Sequence, residues 1–308
     1  MPLIDEHSKG VFVIGATPFR DDLSLDVEGI GRLASFYIDT GATGFTVLGM
    51  MGEAAKLSAG ESRQVVGGYI KAAGRLPVVV GVSAGGFAAM SELTKAVMDQ
   101  GAAGVMIAPP NTLRTDDQIL AYYRMAGETL GPDVPIVLQD FPLSTTVQIS
   151  VGTLSKIIDS VPSVKMLKHE DWPGLAKIEA LRNAEQAGQR RISILCGNAG
   201  VFLAEEMERG ADGAMTGFAY TEMMRDVVHH AGRGQIDRAM DLFDAYLPLI
   251  RYEQQPGLGL AVRKYVLRQR GAIASDAIRR PGPKLSAADI ADIERLIARQ
   301  DRRLKEIA

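Results

Sequence analysis

The sequence has one cysteine, Cys196, in 308 residues, so no disulfide can form within the chain and no paired-cysteine zinc or redox motif exists. It has four histidines, His7, His169, His229 and His230, and none pairs at the i, i+4 spacing of a helical zinc site. Both scarcities speak against a metal enzyme. It has no apolar run near the roughly 18 residues of a membrane helix, and its start, MPLIDEHSKG, lacks the basic end and apolar stretch of a secretory leader. A soluble, cytoplasmic protein that does not enter membranes is expected. Charge of one sign is scarce too: 34 Lys and Arg against 37 Asp and Glu leave −3 at neutral pH, which argues against a nucleic-acid partner. What is present is ordinary for a packed globular protein, with 46% apolar and 23% charged residues.

Eight short β-type runs alternate with longer segments of helical period, the pattern of a parallel sheet built from βα units. The runs are residues 11–16, 44–48, 77–81, 104–108, 135–139, 164–168, 192–196 and 213–216. The intervening helical segments include 27–39, 60–73, 88–100, 118–129, 151–158 and 174–187, with apolar residues recurring at three and four. Gly41-Ala-Thr-Gly44, Gly101-Ala-Ala-Gly104 and Gly210-Ala-Asp-Gly213 each follow a helical segment and lead into an apolar run. The first glycine of each suits the left-handed position that ends a helix, and the second a tight entry to the next strand. Eight strands in series predict closure into a (β/α)8 TIM barrel. Beyond about residue 221 the pattern is helical only (223–231, 236–252, 259–270, 287–305), with Arg279-Arg280-Pro281-Gly282-Pro283 as a rigid linker before the last helix. The expected organisation is a barrel core over residues 1–220, with the last barrel helix and a C-terminal helical extension over 221–308, packed with the barrel as one unit.

In such barrels chemistry sits at the carboxyl ends of the strands. The reactive residues there are Thr17, Glu53, Gln139, Asp140, Lys168, Glu170, Cys196, Asn198 and Thr216. Lys168 is the most informative, because alternation along Val164-Lys165-Met166-Leu167-Lys168 puts Lys168 on the face of Val164 and Met166. If that face is the barrel interior, apolar walls strip hydration from the ammonium and favour the free amine, a nucleophile toward carbonyls. The competing reading is a lysine snorkelling to solvent at a strand end.

Residues 10–19, 41–57, 135–142, 164–171 and 210–217 resemble the dihydrodipicolinate synthase/N-acetylneuraminate lyase superfamily of Schiff-base barrels. The superfamily's Gly-Thr-Thr-Gly-Glu loop reads here Gly49-Met50-Met51-Gly52-Glu53, and its Lys-Glu-Ala segment reads Lys168-His169-Glu170. The resemblance implies a lyase that forms a covalent imine on Lys168, needs no cofactor or metal, and assembles as a homotetramer, a dimer of dimers. The departures are specific. The usual Tyr-Asn-Val-Pro, whose tyrosine shuttles protons, is Gln139-Asp140-Phe141-Pro142. The Thr-Thr pair is Met50-Met51, the usual Tyr-Tyr is Pro110-Asn111, and Leu143-Ser144-Thr145-Thr146 lacks the arginine that binds a carboxylate in lysine-biosynthesis members. These changes argue against dihydrodipicolinate synthase itself. Gln139-Asp140-Phe141-Pro142 and Lys168-His169-Glu170 are instead similar to the 2-keto-3-deoxy-L-arabonate dehydratases.

The expected catalytic residues are therefore Lys168, Glu170, which shares its parity and could relay protons, and Gln139, which can orient a hydroxyl or water. Asp140, of opposite parity, is expected to be structural, and Glu53 to cap its loop. The substrate-binding candidates are Gly49, Met50, Met51 and Gly52, whose backbone N–H groups could cradle a carboxylate, with Thr17, Gly197, Asn198 and Met215 at neighbouring strand ends. The expected partner is a small 2-keto acid, a 2-keto-3-deoxy sugar acid being favoured. Alternatives are a pyruvate-forming aldolase, a phosphorylated ligand at strands seven and eight, and a barrel that binds a small anion without catalysis.

Overall fold

The computed structural model describes residues 2–172 and 174–308. Eight strands, β1 (Gly10–Ile14), β2 (Gly44–Val47), β3 (Val78–Gly81), β4 (Gly104–Ile107), β5 (Ile136–Asp140), β6 (Val164–His169), β7 (Ser193–Cys196) and β8 (Gly213–Ala214), run parallel in sequence order. β8 returns to pair with β1, closing the barrel. Val78, Val79 and Val80 show why the strands read as continuous apolar runs: Val79 belongs to the barrel interior while its neighbours face the surrounding helices. The connecting helices bury one stripe each. Val27–Asp39, for example, buries Ile30, Leu33, Ala34 and Tyr37, and starts where Asp26 accepts the Gly29 N–H. Gly41, Gly101 and Gly210 take φ of +114°, +99° and +97° just after their helices, the region that favours glycine.

The interior is filled by Phe12, Ile14, Val79, Met106, Val137, Met166, Leu195 and Met215. Ile4 plugs its amino end, where its N–H donates to the Ala103 carbonyl. One expectation fails at the start of β6. Val164 belongs to the outer core, because the β5–β6 register shifts between Ile136 and Val137, pairing Ile136 with Val164 but Val137 with Met166. That bulge inserts one residue, and parity is regular only from Met166 onward.

The C-terminal part consists of the helices Thr221–Ala231, Ile236–Glu253, Gly259–Gln269 and Ala287–Glu306. The third is enclosed rather than superficial, with Arg263 and Lys264 both buried. Lys264 Nζ donates to Glu53 Oε1 at 2.5 Å and to the Ala277 carbonyl at 2.8 Å. Glu53 Oε2 in turn accepts from Lys56 at 3.0 Å and from the Arg279 N–H at 3.0 Å. Glu53 is thus the knot between the β2 loop, this helix and the segment before the last helix. Lys264→Met should cost about 3–5 kcal/mol, because it leaves a buried carboxylate short of its principal cation. Thermal unfolding should show that loss, and should show a smaller one for Lys264→Met combined with Glu53→Gln. Equal losses would mean that packing, not charge, governs this contact.

Candidate active site

The carboxyl ends of the strands open into a cavity of about 260 Å³, small for a ligand pocket. Lys168 enters it from β6, two residues beyond the interior Met166 and on the same side, and only 5% of its surface is exposed. Glu170 keeps that parity because the ladder continues one step past β6, its N–H donating to the Asp140 carbonyl at 2.9 Å. Lys168 Nζ lies 3.1 Å from Glu170 Oε2. The same oxygen accepts from Gln139 Nε2 at 2.7 Å, and Oε1 accepts from the Asn198 N–H at 3.1 Å. Two hydrogen-bond donors, from β5 and the β7 end, and the Lys168 ammonium at ion-pair distance therefore fix one buried carboxylate. A buried charge so compensated is tolerable where a lone one is not.

The sequence-derived candidates divide into two groups. Gly49, Met50, Met51, Lys168, Glu170, Asn198 and Thr216 line the cavity. Gln139 does not; it opens onto an adjoining hollow beside Leu48 and Met106 and reaches the site only through Glu170. Gly197 is covered by Glu170, where an added Cβ would lie 2.2 Å from Glu170 Cγ, so its role is to leave room. Thr17 spends its hydroxyl on the Gly52 carbonyl at 2.6 Å and anchors the loop from below. Gly52 turns its own N–H back onto the Gly49 carbonyl at 3.0 Å, which removes it from any anion cradle. Met215 belongs to the apolar interior and does not line the cavity.

Asp140 points to the outer face, where Lys177 holds it at 2.7 Å while also contacting Asp171 at 2.6 Å. Burial lifts the Asp140 carboxyl to about 6, although Lys177 opposes the shift. Cys196 is fully enclosed, and burial pushes its thiol well above the ordinary range, which makes it a poor nucleophile. The cavity wall contributed by the C-terminal helices was not anticipated: Glu253, Gln254, Leu260 and Arg263 close the mouth beside β8. The available signal was Arg263-Lys264 within an otherwise apolar helical stretch.

Comparison with known proteins gives this geometry a family. A sequence model described as the dihydrodipicolinate synthetase family matches residues 7–300. The chain belongs to that family. It is a lyase of this superfamily, with the closed eight-stranded barrel fold. A crystal structure titled dihydrodipicolinate synthase from Rhodopseudomonas palustris is 51% identical, with a TM-score of 0.96 over 97% of this chain and 100% of that one. An L-2-keto-3-deoxyarabonate dehydratase of Azospirillum brasilense is 29% identical over 95% of this chain and 94% of its own. A 4-hydroxy-tetrahydrodipicolinate synthase of Anaplasma marginale is 31% identical over 66% of this chain and 65% of its own. Among the described residues no helix is long and apolar enough to cross a membrane.

His169, between Lys168 and Glu170, faces the opposite side of β6 and is fully buried. Burial, with the Lys177 ammonium adding to it, holds its ring down to about 4. The unfolded chain would take up that proton near pH 6.5, so this group's contribution to stability is complete above that value and is lost as pH falls toward 4. The shift corresponds to about 3 kcal/mol. Asp140, raised by burial, acts with the opposite sign over part of the same window. His169→Leu should therefore lose less Tm than the parent between pH 7 and 4.5, in parallel melts. Identical pH dependence would show that the ring titrates normally.

Proposed function

We propose that this lyase dehydrates a small 2-keto-3-deoxy sugar acid, such as 2-keto-3-deoxy-L-arabonate, through an imine on Lys168. The observation that carries the reading is the Glu170 carboxylate, 3.1 Å from Lys168 Nζ, in a site whose β5 end offers Gln139 rather than a titratable hydroxyl. Attack of the Lys168 amine on the C2 carbonyl, with loss of water, gives the imine, which acidifies the C3 hydrogens. Glu170 takes a C3 proton, and the electron pair forms the enamine. Its return expels the C4 hydroxyl, to which Glu170 gives the proton back, so one water leaves. Hydrolysis then frees the product and the lysine. One carboxyl serves as base and then acid, and the C4–O bonding pair leaves with the departing water. No cofactor or metal enters this sequence, and activity is expected to survive exhaustive chelation.

Two kinds of named relative pull in different directions, synthase and dehydratase. The residues of this chain favour the second. Retro-aldol cleavage needs a base on the C4 hydroxyl, a task the resemblance links to the tyrosine replaced by Gln139, and an amide cannot take a proton there. The site instead concentrates its acid–base capacity in Glu170, beside the imine nitrogen.

Mass spectrometry of products formed from a panel of 2-keto-3-deoxy acids tests the reading: each accepted acid should lose one water. Glu170→Gln should lower kcat by about 10²- to 10⁴-fold, the usual worth of general acid–base catalysis. Gln139→Ala should cost less, about ten- to a hundredfold for one hydrogen bond to a charged group. Release of pyruvate and an aldehyde, or full turnover by Glu170→Gln, would replace the dehydratase with an aldolase.

A further inference from the structure

Among the described residues Glu170 Oε1 accepts one hydrogen bond, from the Asn198 N–H at 3.1 Å, whereas Oε2 meets both Gln139 and Lys168. The direction of that N–H is set by a backbone in the left-handed region, with φ of +53° at Asn198, +56° at Ala199 and +73° at Gly200. Asparagine and glycine accept that region readily, but Ala199 occupies it at a steric cost, so the surroundings have to hold the turn in place. Within the turn, the Gly200 N–H donates to the Gly197 carbonyl at 2.9 Å and the Val201 N–H to the Asn198 carbonyl at 3.3 Å. The Asn198 side chain makes one hydrogen bond among the described residues, and it leads out of the turn: Oδ1 accepts from Gln254 Nε2.

Gln254 ends the helix Ile236–Glu253, where its N–H donates to the Ile250 carbonyl at 3.0 Å. A line of contacts therefore runs from the C-terminal helices to the reacting groups: Gln254 Nε2 to Asn198 Oδ1, Asn198 N–H to Glu170 Oε1, and Glu170 Oε2 to Lys168 Nζ. Without the first link the strained turn is free to relax, and a rotated peptide takes the Asn198 N–H away from Oε1. The carboxylate is then held at one oxygen and can pivot about it. Proton transfer is sensitive to such a change, since a displacement of about 1 Å at a reacting group can cost about 10²-fold. Attack on the carbonyl depends on Lys168 and is affected less.

We infer that Gln254 is a positioning residue that fixes the Glu170 carboxylate for proton transfer by holding Asn198 in its left-handed turn. The inference rests on the dehydratase reading of Glu170. It gives Asn198 a role through its backbone N–H instead of through contact with substrate, and it makes the end of a C-terminal helix part of the catalytic geometry.

The test uses 2-keto-3-deoxy-L-arabonate and two readouts: kcat for water loss, and the half-saturating concentration for imine formation measured by borohydride trapping. Gln254→Met keeps the length of the side chain and removes the donor. Asn198→Gly removes the acceptor while keeping the N–H and tolerating the left-handed conformation. Each should lower kcat by about three- to tenfold, the worth of one neutral hydrogen bond, with half-saturation within about twofold of the parent. The double variant should lose no more than the larger single one, because both substitutions break the same contact. A kcat loss below about threefold in Gln254→Met, alongside a slow Glu170→Gln, overturns the inference and leaves the reading of Glu170 intact. A parallel rise in the half-saturating concentration overturns it in favour of direct substrate contact by Gln254. Losses that multiply in the double variant overturn it by showing that the two residues act independently. A parent that releases no water from this acid, or full turnover by Glu170→Gln, refutes the dehydratase reading itself, and the inference with it.

Discussion

A lysine and a glutamate two residues apart on one strand, both buried and 3.1 Å apart, are the constraint on which this structure turns. Each charge would be expensive alone in the apolar mouth of the barrel, and each makes the other tolerable. The pair then needs its geometry held, since a carboxylate free to rotate would contact the ammonium only part of the time. Gln139 from β5 and the Asn198 N–H from the β7 end supply that restraint, at 2.7 Å and 3.1 Å. Gly197 supplies the space. Neighbouring strands of a closed barrel hold these groups in register, which is what a rigid scaffold contributes to a precisely placed site.

The surrounding ionic network separates structural from reactive charges. On the outer face of the same strands, Asp140, Asp171 and Lys177 form a second buried cluster that shares backbone with the site but not the cavity. Glu53 does the same below the β2 loop, with Lys264 and Lys56. The sequence places acids beside Lys168 in several positions along the chain, and side-chain parity sorts them. Glu170 alone among these carboxylates faces Lys168, and for that reason the proposed dehydration assigns both proton transfers to it.

The barrel was legible because its strands are short, apolar and bounded by glycine, and the observed strands differ from the expected ones by only a residue or so at most ends. Lys168 was legible from its parity with Met166, although the reasoning also leaned on Val164, which the β-bulge turns to the outer core. A slip in register at a strand start leaves no mark in one-dimensional alternation. Gln139 was read as a residue that touches substrate; its actual partner, Glu170, is 31 positions away, and only the β5–β6 register brings them together. Arg263 and Glu253 escaped notice because their helices read as an outer layer. What brings them inside is the long-range packing of the C-terminal helices over the barrel mouth, which local periodicity does not encode.

The central claim is that the Lys168 amine is the group that attacks the substrate carbonyl. Its most direct measurement is peptide mapping after borohydride reduction in the presence of 2-keto-3-deoxy-L-arabonate. The account predicts one covalent adduct, on the peptide bearing Lys168, and none in Lys168→Ala. An adduct on Lys165 or Lys177, or unmodified protein while the acid is being consumed, would contradict it.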